Sequence, residues 1–226
     1  SLRDQGRKKN LIKLHMQDLR VLQEMEFNGE RFSWDSLANA QVSAERELGE
    51  IDENIREYVP CDFRGTFNPD SGDHLSCLLY GGNLSVKTGT PYQRTYKTGP
   101  RAGEVVTAYK WEVREYTFPQ LVKPREGSEL KKDGFYSTDE QTLLSLPRRT
   151  VGPLVKLLLR RAELAKLSQT YLAGIPKVAA KYDWKDGLIH GTLNQCKVIT
   201  GRLSSEKPNK QNFPAILNQY IVSRFQ

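Results

Sequence analysis

At 226 residues, with 38% hydrophobic and 27% charged side chains, the chain has the apolar content for one large domain or two small ones. No apolar run approaches the roughly 20 residues that span a bilayer. The N-terminus, Ser1-Leu2-Arg3-Asp4-Gln5-Gly6-Arg7-Lys8-Lys9, lacks the apolar core of a signal peptide, so no membrane partner is expected. The formal net charge of +7 is uneven. Residues 1–60 carry 9 Lys/Arg against 12 Asp/Glu, and residues 61–226 carry 25 against 15. That asymmetry suits a region facing polyphosphate or, equally, a merely soluble basic surface. Cys61, Cys77 and Cys196 are too few and too scattered for a disulfide framework or a zinc site. Buried thiols in a reducing cytosol are expected.

In chain order, residues 11–27 predict an amphipathic helix, with Leu11, Leu14, Leu19, Leu22 and Met25 near helical spacing and a break at Asn28-Gly29. A longer helix follows, capped by Ser33 or Asp35. Its apolar positions are Leu37, Ala44, Leu48, Ile51, Ile55 and Tyr58, and Pro60 lies just beyond its end. Phe67-Asn68-Pro69-Asp70-Ser71 reads as a turn into a short helix stopped by Gly81-Gly82. From about 83 to 126 the period becomes that of a strand. The turn Thr98-Gly99-Pro100-Arg101-Ala102-Gly103 predicts a hairpin of roughly 92–98 with 104–118. Ser137-Thr138-Asp139-Glu140 has capping-box spacing, and its helix ends near Pro147. A long helix starts at Thr150-Val151-Gly152-Pro153, with Gly174 as its expected stop. Asp186-Gly187 signals a turn, and Leu188 to Ile199 reads as extended.

The segment Thr200-Gly201-Arg202-Leu203-Ser204-Ser205-Glu206-Lys207-Pro208-Asn209-Lys210-Gln211-Asn212-Phe213-Pro214 sets a basic side chain beside hydroxyls and amides. Such donors suit the minor-groove acceptors that every base pair shares. It resembles the segment entering the palm of family A DNA polymerases, the polymerase I type. Further blocks resemble that family in the same order. They are Leu22–Gly29, Phe67–Leu75, Tyr136–Glu140, Leu164–Tyr171 and Ile189–Gln195, the last being similar to the family's strand before the palm entry. Only the stretch near 83–126 falls outside these blocks. Ile221-Val222-Ser223-Arg224-Phe225 resembles the approach to the first metal-binding carboxylate.

The resemblance implies an α+β fold of long antiparallel thumb helices with a β-hairpin insertion, followed by the first antiparallel palm strands. The implied segments are 1–82 (N-terminal thumb helices), 83–132 (β-rich insertion), 133–176 (second thumb helical segment) and 177–226 (start of the palm). It further implies that Arg202 meets the minor-groove edge at the primer terminus, with Asn209, Gln211, Gln195 and Ser204 beside it. Lys166, Ser168, Gln169 and Thr170 would meet phosphates, and Arg161 takes the family's thumb arginine role one position out of step. Such phosphate contacts position a duplex without reading sequence.

No acidic residue follows Glu206, and a polymerase holds its metals with carboxylates. The expectation is therefore no catalytic and no metal-binding residue in this chain. Mg²⁺ would serve the complete polymerase, and a complementary fragment would bring the rest of the palm and the fingers. The gene would be phage-encoded, acting in the host cytoplasm, with primer–template DNA as partner. The rival reading is a non-catalytic duplex-DNA-binding or regulatory module derived from such a polymerase. His190 reads as a hydrogen-bonding strand histidine, since no cluster of ligand-type residues surrounds it.

Overall fold

The computed structural model describes residues 2–222 except 102, 185, 186 and 196; within the first helix, the side chains of residues 2–8 and 11 are also outside the description. The expectations for Leu11, Ala102, Asp186, Cys196 and the stretch 223–225 therefore lie wholly or partly outside the described residues. The fold is mixed α+β. Its elements are α1 (Leu2–Asn28), β1 (Glu30–Phe32), α2 (Trp34–Arg56), α3 (Gly72–Tyr80), β2 (Gly82–Thr95), β3 (Val105–Phe118), α4 (Glu140–Ser145), α5 (Arg148–Lys166), α6 (Gly174–Lys181), β4 (Leu188–Ile189), β5 (Thr192–Asn194), β6 (Ser204–Glu206) and β7 (Ile221–Val222). A π-helical segment, Leu167–Leu172, separates α5 from α6.

The chain forms two compact units. The first joins its two ends, Ser1–Leu48 and Glu163–Gln226; the second is Gly49–Ala162. In the first unit, β1 is the centre of a three-stranded antiparallel sheet, order β4-β1-β7. Glu30 and Arg31 pair with Ile189 and Leu188, and Arg31 and Phe32 pair with Val222 and Ile221. Its core gathers Phe32, Leu37, Ala44, Leu172, Ile175, Ile189 and Leu217. Fully burying each large apolar side chain contributes roughly 1.5–3 kcal/mol, so residues far apart in sequence hold the ends of the chain together.

In the second unit Phe63 is fully buried and meets Phe67, His74, Tyr116 and Phe118 edge-on or tilted, with ring centroids 4.6–6.4 Å away. The Phe67–Ser71 turn is a cap: Ser71 Oγ accepts from the His74 N–H, and Asn68 Oδ1 accepts from the Asp70 N–H. Burial in this aromatic setting lowers the His74 pKa. Gly81, at φ 75°, ends α3.

Several local expectations are corrected. Leu14, Leu19 and Met25 do not form a buried stripe on α1: all three are exposed, and the half-buried side runs through His15, Leu22 and Glu26. Tyr58 is likewise exposed, beyond the end of α2, and Cys61 is exposed on the following turn, whereas Cys77 is buried. The hairpin is longer than predicted, because β2 begins at Gly82 and runs in unbroken register against β3 from Gly82↔Phe118 to Thr95↔Val105. Asp139, not Ser137, caps α4, accepting from the Thr142 N–H; the Ser137 hydroxyl instead donates to Asp139. Gly174 opens α6 rather than stopping α5, because the π segment has already changed the pitch, with the Ala173 N–H donating to the Ser168 carbonyl. Of residues 188–199, those described form two short strands, with turns and bends after them, rather than one extended run.

Candidate nucleic-acid interface

The site is a strand–loop–strand unit. β5 and β6 pair antiparallel, Thr192↔Glu206, Leu193↔Ser205 and Asn194↔Ser204, and the loop between them carries Arg202. β5 is anchored to α1. The Glu26 carboxylate accepts the Leu193 N–H, and the Glu26 carbonyl lies 2.8 Å from His190 Nδ1, which must carry the proton since the carbonyl can only accept. Gly29 permits this approach. Its φ is 61°, and a Cβ there would come within 2.9 Å of the His190 ring. His190 thus has the hydrogen-bonding role its sequence context suggested.

Downstream of β6 the chain is tied down by its own side chains. Ser205, buried, donates from Oγ to Asn209 Oδ1 at 3.0 Å and accepts from the Gln211 N–H at 3.3 Å. Gln211 Nε2 donates to the Leu203 carbonyl at 2.8 Å. Ser204 Oγ lies 3.4 Å from the Asn194 carbonyl. The Tyr171 hydroxyl donates to the Asn212 carbonyl at 2.7 Å, joining the π segment to this loop. Between them lies a concavity of about 230 Å³ lined by residues that include Thr170, Tyr171, Gly174, Asn209, Asn212 and Phe213. The Asn194 amide, and then Lys197, hold the Glu206 carboxyl below the usual range.

These bonds sort the predicted residues. Arg202 is exposed next to Gly201, whose φ is 74°, so its guanidinium is presented to solvent from a tethered loop. Asn209 and Gln211 are exposed while braced from behind, and Thr170 shares the concavity with Asn209. Lys166 and Gln169 are also exposed. Gln195 is turned toward α1, with Nε2 3.1 Å from His15 Nδ1 and 3.4 Å from Asp18 Oδ2; here it fastens the start of the loop instead of offering its amide outward. Ser168 is 3% exposed and accepts from Gln41 Nε2 at 3.0 Å, so its hydroxyl is engaged inside the unit. Arg161, in the other unit, is committed to Asp52 at 2.6 Å and Asp70 at 2.7 Å. Burial works against its charge, but the bonds to Asp70 and Asp52 outweigh that and raise its pKa. It braces α5 against α2 and the Phe67–Ser71 turn.

Glu26 and Tyr171 carry no role that the sequence assigns. Their work is to hold other groups, which no local pattern announces. Among the described residues no group of three or more His, Cys, Asp or Glu side chains could hold a metal ion. The carboxylates nearest the loop are already engaged: Glu26 with Leu193, Glu30 with Lys210, and Glu206 with Asn194 and Lys197. Among the described residues the donor set does not fit a polymerase's metal ions. Among the described residues no helix is long and apolar enough to cross a membrane.

The profile of DNA polymerase family A matches residues 101–224, more than half of the sequence, and the chain belongs to that family. The match takes in β3, so the segment set aside as an insertion lies partly within it. The thermostable DNA polymerase I of Thermus filiformis is 29% identical over 195 residues, covering 86% of this chain and 18% of that protein. The DNA polymerase I of Streptococcus pneumoniae serotype 4 is 39% identical over 104 residues, 45% of this chain and 11% of the relative. The chain therefore spans less than a fifth of the length of these relatives. The fold is similar to the POL domain of Pol1 from M. smegmatis, solved in complex with DNA primer-template and dNTP. The TM-score is 0.55 at 24% identity, over 86% of this chain and 26% of that one.

Proposed function

We propose that this chain is the thumb and palm-entry portion of a family A DNA polymerase, phage-encoded, which grips the minor-groove side of a primer–template during template-directed synthesis. The observation that carries the reading is the exposed Arg202 on a loop whose neighbouring polar side chains are bonded to one another and to the backbone. A guanidinium on such a loop loses little freedom when it meets a purine N3 or pyrimidine O2, and those acceptors are common to all base pairs. Asn209, Gln211 and Ser204 flank it, while Lys166, Gln169 and Thr170 supply phosphate contacts. Metal-binding carboxylates come from a complementary polymerase fragment holding the remaining palm and the fingers, and Mg²⁺ there supplies the charge that phosphoryl transfer needs.

Two measurements test this. The isolated chain, given a primed template with Mg²⁺ or Mn²⁺, should incorporate no nucleotide, and adding the complementary fragment should start synthesis. Binding to unrelated duplexes should be sequence-indifferent. If four to six phosphates are neutralised, log K should fall against log salt with a slope of roughly −4 to −5. Extension by the pure chain would overturn the division of labour, and a flat salt dependence or a strong preference for one sequence would overturn the grip.

A further inference from the structure

The ribbon of β2 and β3 has two unlike faces. Their register and the alternation of strand side chains put Val105, Tyr109, Trp111 and Val113 on one face, above Pro91 and Gly89. These four side chains are 55–65% exposed, so the described residues leave this apolar face uncovered. Trp111 lies over Gly89, where a Cβ would come within 3.0 Å of its ring, yet it is 65% exposed, leaving π-surface open to solvent. The Tyr109 ring is beside it, with centroids 6.0 Å apart and planes tilted by 31°.

The charges favour one occupant. Residues 82–118 carry Lys87, Arg94, Lys97, Arg101, Lys110 and Arg114 against Glu104, Glu112 and Glu115. Two of those carboxylates are engaged, Glu104 with Arg101, and Glu112 with Lys110 and Arg114 on the opposite face, while Glu115 lies on the aromatic face toward the base of the ribbon, beyond Val113. Lys87 pairs with Val113 in the register, at the edge of the aromatic face. A second copy of the same net-positive ribbon would be repelled, and a duplex hides its base faces in the stack. A single strand offers both what the rings accept and what the cations accept.

We propose that this face is a single-stranded DNA platform, with bases stacking on Trp111 and Tyr109 and Lys87 meeting the backbone. It goes beyond the minor-groove grip and does not depend on Arg202.

The test uses the full chain and a fluorescein-labelled oligothymidine of about 12 nucleotides, within the site size of such platforms, followed by anisotropy, with a duplex of equal length in parallel. Trp111→Ala and Tyr109→Ala should each weaken single-strand binding by about 5- to 100-fold, since stacking on one ring contributes that much, while duplex affinity stays the same. Trp111→Phe should retain most of the single-strand affinity. Trp111→Leu, which keeps apolar bulk without a π-face, should bind as weakly as Trp111→Ala. Single-strand affinity unchanged in the alanine variants would overturn the proposal. So would a Leu variant that binds like wild type, or a wild-type dimer in sedimentation that Trp111→Ala dissociates, marking the face as a self-association surface. Loss of duplex salt dependence, by contrast, would count against the grip and not against this platform.

Discussion

The loop between Gln195 and Phe213 and the ribbon of β2 and β3 achieve order by opposite means. In the loop and the strand before it, side chains hold backbone: Glu26 takes the Leu193 N–H, Ser205 takes the Gln211 N–H, and Gln211 donates to the Leu203 carbonyl. In the ribbon, backbone holds backbone through an unbroken register of fourteen-residue strands, and the side chains away from its base are left to solvent. A structure made by particular side chains cannot exchange them without changing shape. A structure made by a ladder can vary its exposed faces. The loop is therefore where identity and geometry are coupled, and the ribbon is where new surface chemistry can be carried without disturbing the fold.

Substitutions put that contrast to the test. The largest expected effect is functional. Arg202→Ala, at an exposed position, should leave the unfolding midpoint unchanged while slowing extension by the complemented polymerase about 30- to 150-fold, on the order of 2–3 kcal/mol. Next comes stability. Glu26→Ala leaves the Leu193 N–H without its acceptor and should cost about 1–3 kcal/mol in urea unfolding. An unchanged midpoint would show that the Glu26 carboxylate does not secure β5. A smaller effect should appear in the pH dependence of stability. Because Asn194 and Lys197 depress the Glu206 pKa, its contribution is present above the unfolded carboxylate value and is lost as pH falls through the lower folded one. Glu206→Gln should therefore lower stability slightly at neutral pH and flatten the profile below about pH 4.3, so that the variant and the wild type converge in acid. The smallest effect belongs to the ribbon: Val113→Thr, on an exposed strand face, should fall within about 0.5 kcal/mol of wild type. A large loss there would mean the ribbon's side chains hold it after all.

The same contrast explains what the sequence disclosed. The turn at 98–103, the Phe67–Ser71 turn into α3 and the α2 stripe from Leu37 to Ile55 follow from local chemistry or period, and each was legible. So was the family, through blocks whose side chains build the loop and the caps. What stayed hidden depends on distance or on pitch. β1 is three residues between two helices, too short to show an alternation, and it becomes a strand only because β4 and β7 flank it. The π segment is a helix by every local propensity. Its pitch moves Ser168 to a buried position against Gln41 and leaves Gln169 and Thr170 outside, so a block that reads as one row of phosphate contacts is divided. Arg161 shows a similar limit: a basic side chain near a basic cluster suggests DNA, but two carboxylates from distant segments already hold it.

The central claim, that Arg202 reads the minor-groove edge at the primer terminus, is tested most directly by removing the acceptor instead of the arginine. Primers ending in adenine or in 3-deazaadenine differ only in the minor-groove N3. In single-turnover extension by the complemented polymerase, the deaza terminus should slow the wild type by about 30- to 150-fold, the same loss as Arg202→Ala on a normal primer. It should slow the Arg202→Ala enzyme no further. Equal slowing of both enzymes by the deaza terminus would mean that another group meets that nitrogen, and would contradict the role assigned to Arg202.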